Sequence, residues 1–468
     1  MKNNLIDLCR RGLLLASTTA LLAACANSAP PAAEMRPPIV FVHGNGDTAA
    51  LWAPTIWRFE SNGWPRDRLH AIDVPYPLAR DNDAVAQPGR TSTAEHMQFL
   101  AAEVDKVLRT TGARQVVLVG NSRGGNAIRN YIANWKEGGG GAAKVSHAVL
   151  GGTPNHGVWA DANVRPGSEF NGAGPFLTAL NNHGAAGVEI TPGPRWMTIR
   201  SADNDKFAQA DGVWIGSKGV PTNVTAAGPE LRGANNIVLP AIDHRETSYG
   251  AQAFAATYQF ITGKSPQRTG IEAENRIQLD GKITGQGLDN NPASGAFSTN
   301  LPLAGAAIEV YAVNPVTGER IGPPRWRKTV GADGRWGPFP ATAGTPFEFV
   351  ITAPGYATTH IYRTPFPRSS DIVHLRAERL LDADKGAGAV VVLTRPRGYF
   401  GLPRDTIVLD GQNPAPGIPP GVAGVSTSRL RLAAGPDRAV AAQFNDERIV
   451  GRNWPAAQNH IVQLELHY

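Results

Sequence analysis

Three kinds of side chain that can share the work of acyl transfer occur in order along this sequence. They are Ser122 in GNSRGG, a choice of acids in SADNDKFAQADG, and His244 in AIDHRETS. A serine hydroxyl is a poor nucleophile until a base takes its proton, and that base needs an acid to orient it and to stabilise its charged form. The stretch SADNDKFAQADG offers Asp203, Asp205 and Asp211. Asp205 is preferred because NDKFA follows the acid with an apolar anchor; Asp203 is the alternative acid. The competing reading is a solvated turn, the usual setting for aspartates in such composition. A developing oxyanion needs preorganised backbone donors. VHGNGD, at 42–47, and the serine turn supply two, the amides of Asn45 and Arg123.

Other polar residues near these motifs have plainer roles. His43 is expected to brace the VHGNGD loop, and His156 in GGTPNHG to shape the site. The two cysteines, Cys9 and Cys25, both lie near the start. No intramolecular disulfide, cysteine nucleophile or thiolate metal site can therefore form beyond residue 25. The chemistry calls for no metal and no organic cofactor.

The motif G-x-S-x-G is weak by itself in a chain with 52 glycines. Its context strengthens it: VVLV ends at Gly120, and GNAIRNYIANW after the serine can form a helix. Strand, sharp turn, helix is the setting that lifts a serine above a sheet. Short apolar strands are predicted at Ile39–Val42, Ala71–Val74, Val116–Val119, Val145–Leu150, Trp196–Arg200 and Asn236–Leu239. Helical stretches alternate with them. The clearest carries Met97, Leu100, Val104, Val107 and Leu108 at helical spacing, behind a capping-box pattern of Ser92 and Glu95. Such alternation implies an α/β architecture with a mainly parallel sheet covered on both faces. Both the acid loop and the histidine loop then follow strands, where C-terminal strand ends converge.

Beyond GKSPQRTG the period changes to two, as in AIEVYAV, FEFVIT and IVQLEL. An all-β C-terminal region is expected, of one or two sandwich or barrel modules. The expected division is a leader at 1–24, a tether at 25–37, an α/β domain at 38–263 and a linker at 264–275. Two β modules follow, at 276–382 and 386–468.

The leader combines Lys2, Arg10 and Arg11 with an apolar run too short to span a bilayer. RRGLLL resembles a twin-arginine export signal, and LAAC resembles a lipobox in which Cys25 would be lipidated. The expectation is an exported protein: an outer-membrane-anchored lipoprotein, periplasmic or secreted. An ordinary secretory signal with an incidental cysteine is the plainer alternative. The net charge of +6 is spread over 468 residues without a basic run interleaved with aromatics, so no nucleic-acid partner is expected.

Taken together, VHGNG, GNSRGG, GGTPNHG and DHRETS resemble an α/β-hydrolase lipase of the secreted bacterial and archaeal type that appends a C-terminal β domain. The resemblance covers about 38–263. It implies Ser122 as nucleophile, Asp205 as acid, His244 as base, and Asn45 and Arg123 as oxyanion donors. It also implies an ester or lipid substrate. ADGRWGPF and APGY resemble carboxypeptidase-regulatory or transthyretin-like sandwiches. The leading expectation is a serine carboxylic ester hydrolase, a lipase or a carboxylesterase. An extracellular aliphatic polyester depolymerase is the alternative within that reaction class. A surface-anchored binding protein with an inactive hydrolase domain is the alternative from another class, and the intact set of Ser122, Asp205 and His244 argues against it. Lipid-surface association is expected through Cys25 and the β region. The long segment Val158–Pro194 is a candidate lid or substrate wall. Within it, GPFLTALNNHG either offers Phe176, Leu177 and Leu180 to an acyl chain or packs onto the domain.

Overall fold

The computed structural model describes residues 36–212, 219–422 and 424–468. The expected leader at 1–24, Cys25 and all but the end of the tether lie outside the described residues.

Six strands build the first sheet: β1 (Ile39–Val42), β2 (Leu69–Ile72), β3 (Val116–Asn121), β4 (Val145–Gly151), β5 (Arg195–Ser201) and β6 (Asn235–Leu239). Their order is β2-β1-β3-β4-β5-β6, and every neighbouring pair is parallel. The strand expected at Ala71–Val74 starts two residues earlier and stops at Ile72. Val74 has left the ladder, and its N–H donates to His43 Nε2 at 3.1 Å.

The alternation of side chains along β1 explains the two cores. Ile39 and Phe41 enter a cluster with Trp52, Phe59 and Phe254, while Val40 and Val42 enter another with Leu100, Val104 and Ile128. Burial on both faces is what makes β1 and β3 read as unbroken apolar runs. The helices of this part are α1 (Ala53–Ser61), α2 (Thr93–Thr111), α3 (Arg123–Asn134), α4 (Pro175–Asn181), α5 (Glu246–Tyr249) and α6 (Ala251–Thr262), of which α4 packs on α3. Helix α2 opens on the expected capping box. Ser92 Oγ accepts from Glu95 N at 3.2 Å, and Glu95 accepts from Ser92 N at 2.8 Å.

The C-terminal region is rich in strands, and one sheet of seven runs through most of it. The last strand, His460–Glu465, lies between Thr358–Arg363 and Ala389–Thr394 and is parallel to both. The boundary expected at 383–385 is therefore crossed by a continuous sheet. Two large apolar cores lie in this region, one around Trp336, Phe347 and Phe349, the other around Phe400, Leu409 and Leu464, with a smaller cluster around Val390 and Ile461.

The α/β part is not loosely tethered to this region. Trp57 of α1 belongs to the core around Trp336, and its Nε1 donates to Ser369 O at 2.9 Å. The stretch expected to be a linker is pinned to the same helix. Arg58 donates to Thr269 O at 2.8 Å, Asn62 to Arg268 O at 2.9 Å, and Glu272 N to Ser61 Oγ at 2.9 Å. No helix among the described residues is long and apolar enough to cross a membrane.

Candidate functional site

Ser122 sits on the turn from β3 into α3 with φ 53° and ψ −123°. A non-glycine residue holds that backbone conformation only where its surroundings impose it. Here the imposition is close packing. A Cβ on Gly124 would stand 2.3 Å from Val42 O, and one on Gly125 would stand 1.8 Å from Thr153 Oγ1. The glycines of GNSRGG thus let α3 begin against β1 and the GGTPNHG loop. Ser122 N donates to Gly151 O at 2.9 Å, which fixes the turn from the other side.

His244 lies on the loop between β6 and α5, and Asp205 on the loop after β5. Both are 3 % exposed, and His244 Nδ1 is 2.8 Å from each oxygen of the Asp205 carboxylate. Phe207, the apolar anchor in NDKFA, packs its ring edgewise on the imidazole with centroids 4.5 Å apart. Asp205 also accepts from Phe207 N at 2.8 Å, so acid and anchor form one local unit. His244 Nε2 is buried and has no hydrogen-bond partner among the described residues. Ser122, His244 and Asn45 line the same cavity, of about 250 Å³. Asp203 is exposed and belongs to the surface turn; only its backbone is hydrogen-bonded among the described residues. Asp211 is likewise exposed and is not a cavity residue.

The loop carrying Asn45 is fixed by its own side chain and by its neighbours. Asn45 Oδ1 accepts from Ala79 N at 2.7 Å, and Gly46 N donates to Pro77 O at 3.1 Å. His43 braces it, bound to Gly44 O at 2.9 Å and to Val74 N at 3.1 Å. Burial lowers the pKa of His43, against the pull of Asp73, and keeps it neutral in that role. His156 is held between Gly228 O at 2.8 Å and Glu189 at 2.9 Å.

Arg123 carries more than its backbone amide. Its buried guanidinium makes a two-pronged pair with Glu169, 2.8 Å on each prong, and donates to Pro77 O and Thr91 O. Burial pushes the Glu169 carboxyl up, opposed by Arg123. Glu169 lies in the segment 158–194, so this pair nails the cavity wall to the start of α3. Val158, Trp159 and Phe170 of that segment line the cavity. Of the two alternatives for α4, packing onto the domain is the one found. Leu177 and Leu180 are buried against Ala133 of α3, with Phe176 partly covered beside them.

Several site residues escaped sequence reasoning, Tyr399 and Asn300 because they come from the C-terminal region. Tyr399 lines the cavity beside His244 and Phe207. Asn300 donates to Asp47 O at 2.9 Å and Val74 O at 3.0 Å, bracing the Asn45 loop from outside. Lys206, next to the acid, lies over the Tyr399 ring at 3.7 Å from its centroid. Burial beside Arg245 pulls this lysine down to about 7. Among the described residues no group of three or more His, Cys, Asp or Glu is arranged to hold a metal ion.

Two known families match parts of the chain. Residues 37–176 match the family described as alpha/beta hydrolase fold, and residues 275–380 match the Lipase C-terminal domain. Among curated proteins the chain is similar to a triacylglycerol lipase of Vibrio cholerae, 34 % identical over 135 residues, 28 % of this chain and 38 % of that protein. It is also similar to a non-heme haloperoxidase of Rhodococcus erythropolis, 29 % identical over 162 residues, 34 % of this chain and 52 % of that protein. The chain spans about half or less of the length of these relatives. Among solved structures, the propeptide form of Bacillus licheniformis lipase BlEst2 aligns over 90 % of this chain and 93 % of its own at 14 % identity, with a TM-score of 0.35. Its mature form aligns over 50 % and 96 % at 21 % identity, with a TM-score of 0.36. The N-terminal part of the chain has the alpha/beta-hydrolase fold, built on a parallel sheet, and a strand-rich region that matches the Lipase C-terminal domain over 275–380 follows it.

Proposed function

We propose that this protein is a serine carboxylic ester hydrolase. The observation that carries the reading is His244, backed by Asp205 at 2.8 Å and presenting an unengaged Nε2 at the cavity that Ser122 also lines. His244 takes the Ser122 proton as Oγ attacks the ester carbonyl, and Asp205 stabilises the imidazolium that forms. The amides of Asn45 and Arg123 receive the oxyanion, at the loop that His43 and Asn300 brace. The alcohol leaves with the proton from His244, and water hydrolyses the acyl-enzyme by the same steps in reverse order.

The cavity, about 250 Å³, falls just below the ~300–1,000 Å³ usual for small-molecule sites. It also carries Arg80, Arg90 and Arg165 among its lining residues. Both features favour esters of short to medium acyl chains over long ones. Similarity to a triacylglycerol lipase and to the Lipase C-terminal domain supports the ester class. For location we propose export, supported by the charged, apolar leader, with a lipid anchor at Cys25 supported by LAAC.

The test is hydrolysis of p-nitrophenyl esters from acetate to palmitate by wild type and Ser122→Ala. Serine-dependent activity, highest on the short to medium chains, is expected. An equal rate in the variant contradicts the proposed nucleophile.

A further inference from the structure

We propose that Tyr399, supplied by the C-terminal β region and locked to the histidine loop through Arg395 and Asp243, is a specificity-determining wall of the ester cavity. The inference rests on the hydrolytic reading above and adds to it a residue outside the α/β domain.

The lock is built from buried charge. Asp243 immediately precedes His244, and its carboxylate accepts from Arg395 Nη1 at 2.6 Å and from Tyr399 N at 2.9 Å. It also caps its own turn, accepting from Arg245 N at 2.8 Å and Glu246 N at 2.9 Å. Burial alone would raise the Asp243 pKa; Arg395 and Arg404 hold it below the usual value, so the carboxylate stays charged. Arg395 is 1 % exposed and all five of its N–H donors are used. Besides Asp243 they reach Tyr399 O, Glu246 at 2.7 Å, the Tyr249 hydroxyl at 2.7 Å and Tyr468 O at 3.1 Å. One guanidinium thereby fixes both the loop bearing the base and the backbone bearing Tyr399.

The Tyr399 ring then sits where selection occurs. It lines the cavity with Ser122 and His244, and its centroid is 6.4 Å from that of Phe207, the ring that packs on His244. Lys206 Nζ lies 3.7 Å and the Arg245 guanidinium 4.5 Å from its centroid, so both side chains pack on the ring and Arg245 adds a cation's attraction. Arg245 continues to Asp47, at 3.2 Å from Nε, in the loop that supplies the Asn45 amide. Histidine loop, oxyanion loop and Tyr399 are thus one bonded assembly. A wall held this firmly cannot swing aside for a bulkier ester.

The experiment compares wild type, Tyr399→Ala, Tyr399→Phe and Ser122→Ala on the p-nitrophenyl acetate, butyrate, hexanoate and octanoate series. Val316→Ser, on the exposed surface of the same region, serves as control. Tyr399→Ala is expected to raise the octanoate-to-acetate ratio of kcat/KM by at least about tenfold, the discrimination a pocket wall ordinarily carries. Tyr399→Phe, which keeps the ring, is expected to retain the wild-type ratio. A Tyr399→Ala ratio equal to wild type, with activity still dependent on Ser122, overturns the inference and leaves the hydrolytic reading standing. Activity that survives in Ser122→Ala overturns the hydrolytic reading and this inference with it.

Discussion

The two aspartates that the sequence leaves in competition are separated by a single substitution at each. Asp205 is buried, with both carboxylate oxygens 2.8 Å from His244 Nδ1, whereas Asp203 is exposed two residues earlier. Asp205→Asn preserves volume and can still accept from Phe207 N, so the loop keeps its shape. What is lost is the charge that holds the imidazole in the tautomer with a bare Nε2 and stabilises its protonated form during attack. A loss of about 10⁴ in kcat is expected, the size seen when a triad acid becomes its amide. That corresponds to about 5.5 kcal/mol of transition-state stabilisation. KM should move less than about threefold, because the Asp205 carboxylate touches His244 and does not line the cavity. Asp203→Asn should stay within about twofold of wild type, as a surface change away from the cavity does. The assay is steady-state hydrolysis of p-nitrophenyl butyrate, with near-ultraviolet circular dichroism to establish that both variants are folded. An Asp205→Asn enzyme within tenfold of wild type, or an Asp203→Asn enzyme that loses as much, would refute the assignment.

Arg123→Met strands the buried Glu169 carboxylate and should cost about 3–5 kcal/mol in urea denaturation; adding Glu169→Leu should recover most of it, since the pair is then replaced by apolar groups. A double variant no more stable than the single one would contradict that account of the cavity wall. Lys206 titrates near 7 in the folded chain against an ordinary value of 10.5. Between those values the unfolded chain binds a proton that the folded chain lacks, so unfolding free energy rises with pH across that window, by up to about 1.4 kcal/mol per unit. Lys206→Met should abolish that contribution and leave the variant more stable than wild type at pH 7. Identical pH slopes for the two proteins, measured by urea denaturation from pH 6.5 to 9, would contradict the burial argument.

What the sequence reveals here is what local chemistry encodes. The serine turn, the capping box before α2 and the apolar strands depend on residues within a few positions of one another. The acid could be preferred because its anchor, Phe207, is two residues away. Strand β2 ends before Val74 because Val74 gives its N–H to His43, a pairing 31 residues distant. The fate of α4 was open because Phe176, Leu177 and Leu180 form an apolar face that suits a substrate or α3 equally well. Nothing local marks Asn300, which reaches 253 residues back to Asp47, or Arg395, which reaches 152 back to Asp243. The same holds for the last strand, which joins both parts of the C-terminal region in one sheet after returning from the chain end. RPRGYF offers two arginines after a buried strand, and only the fold says which carboxylate they meet.

The proposed reaction stands or falls on Ser122 as a nucleophile activated by His244. Its most direct test is covalent trapping with a p-nitrophenyl alkylphosphonate, followed by intact mass and peptide mapping. The account predicts one adduct per chain, on the peptide bearing Ser122, absent in Ser122→Ala and formed at least about 10²-fold more slowly in His244→Ala. An adduct on another residue, or labelling of Ser122 at an unchanged rate without His244, would contradict it.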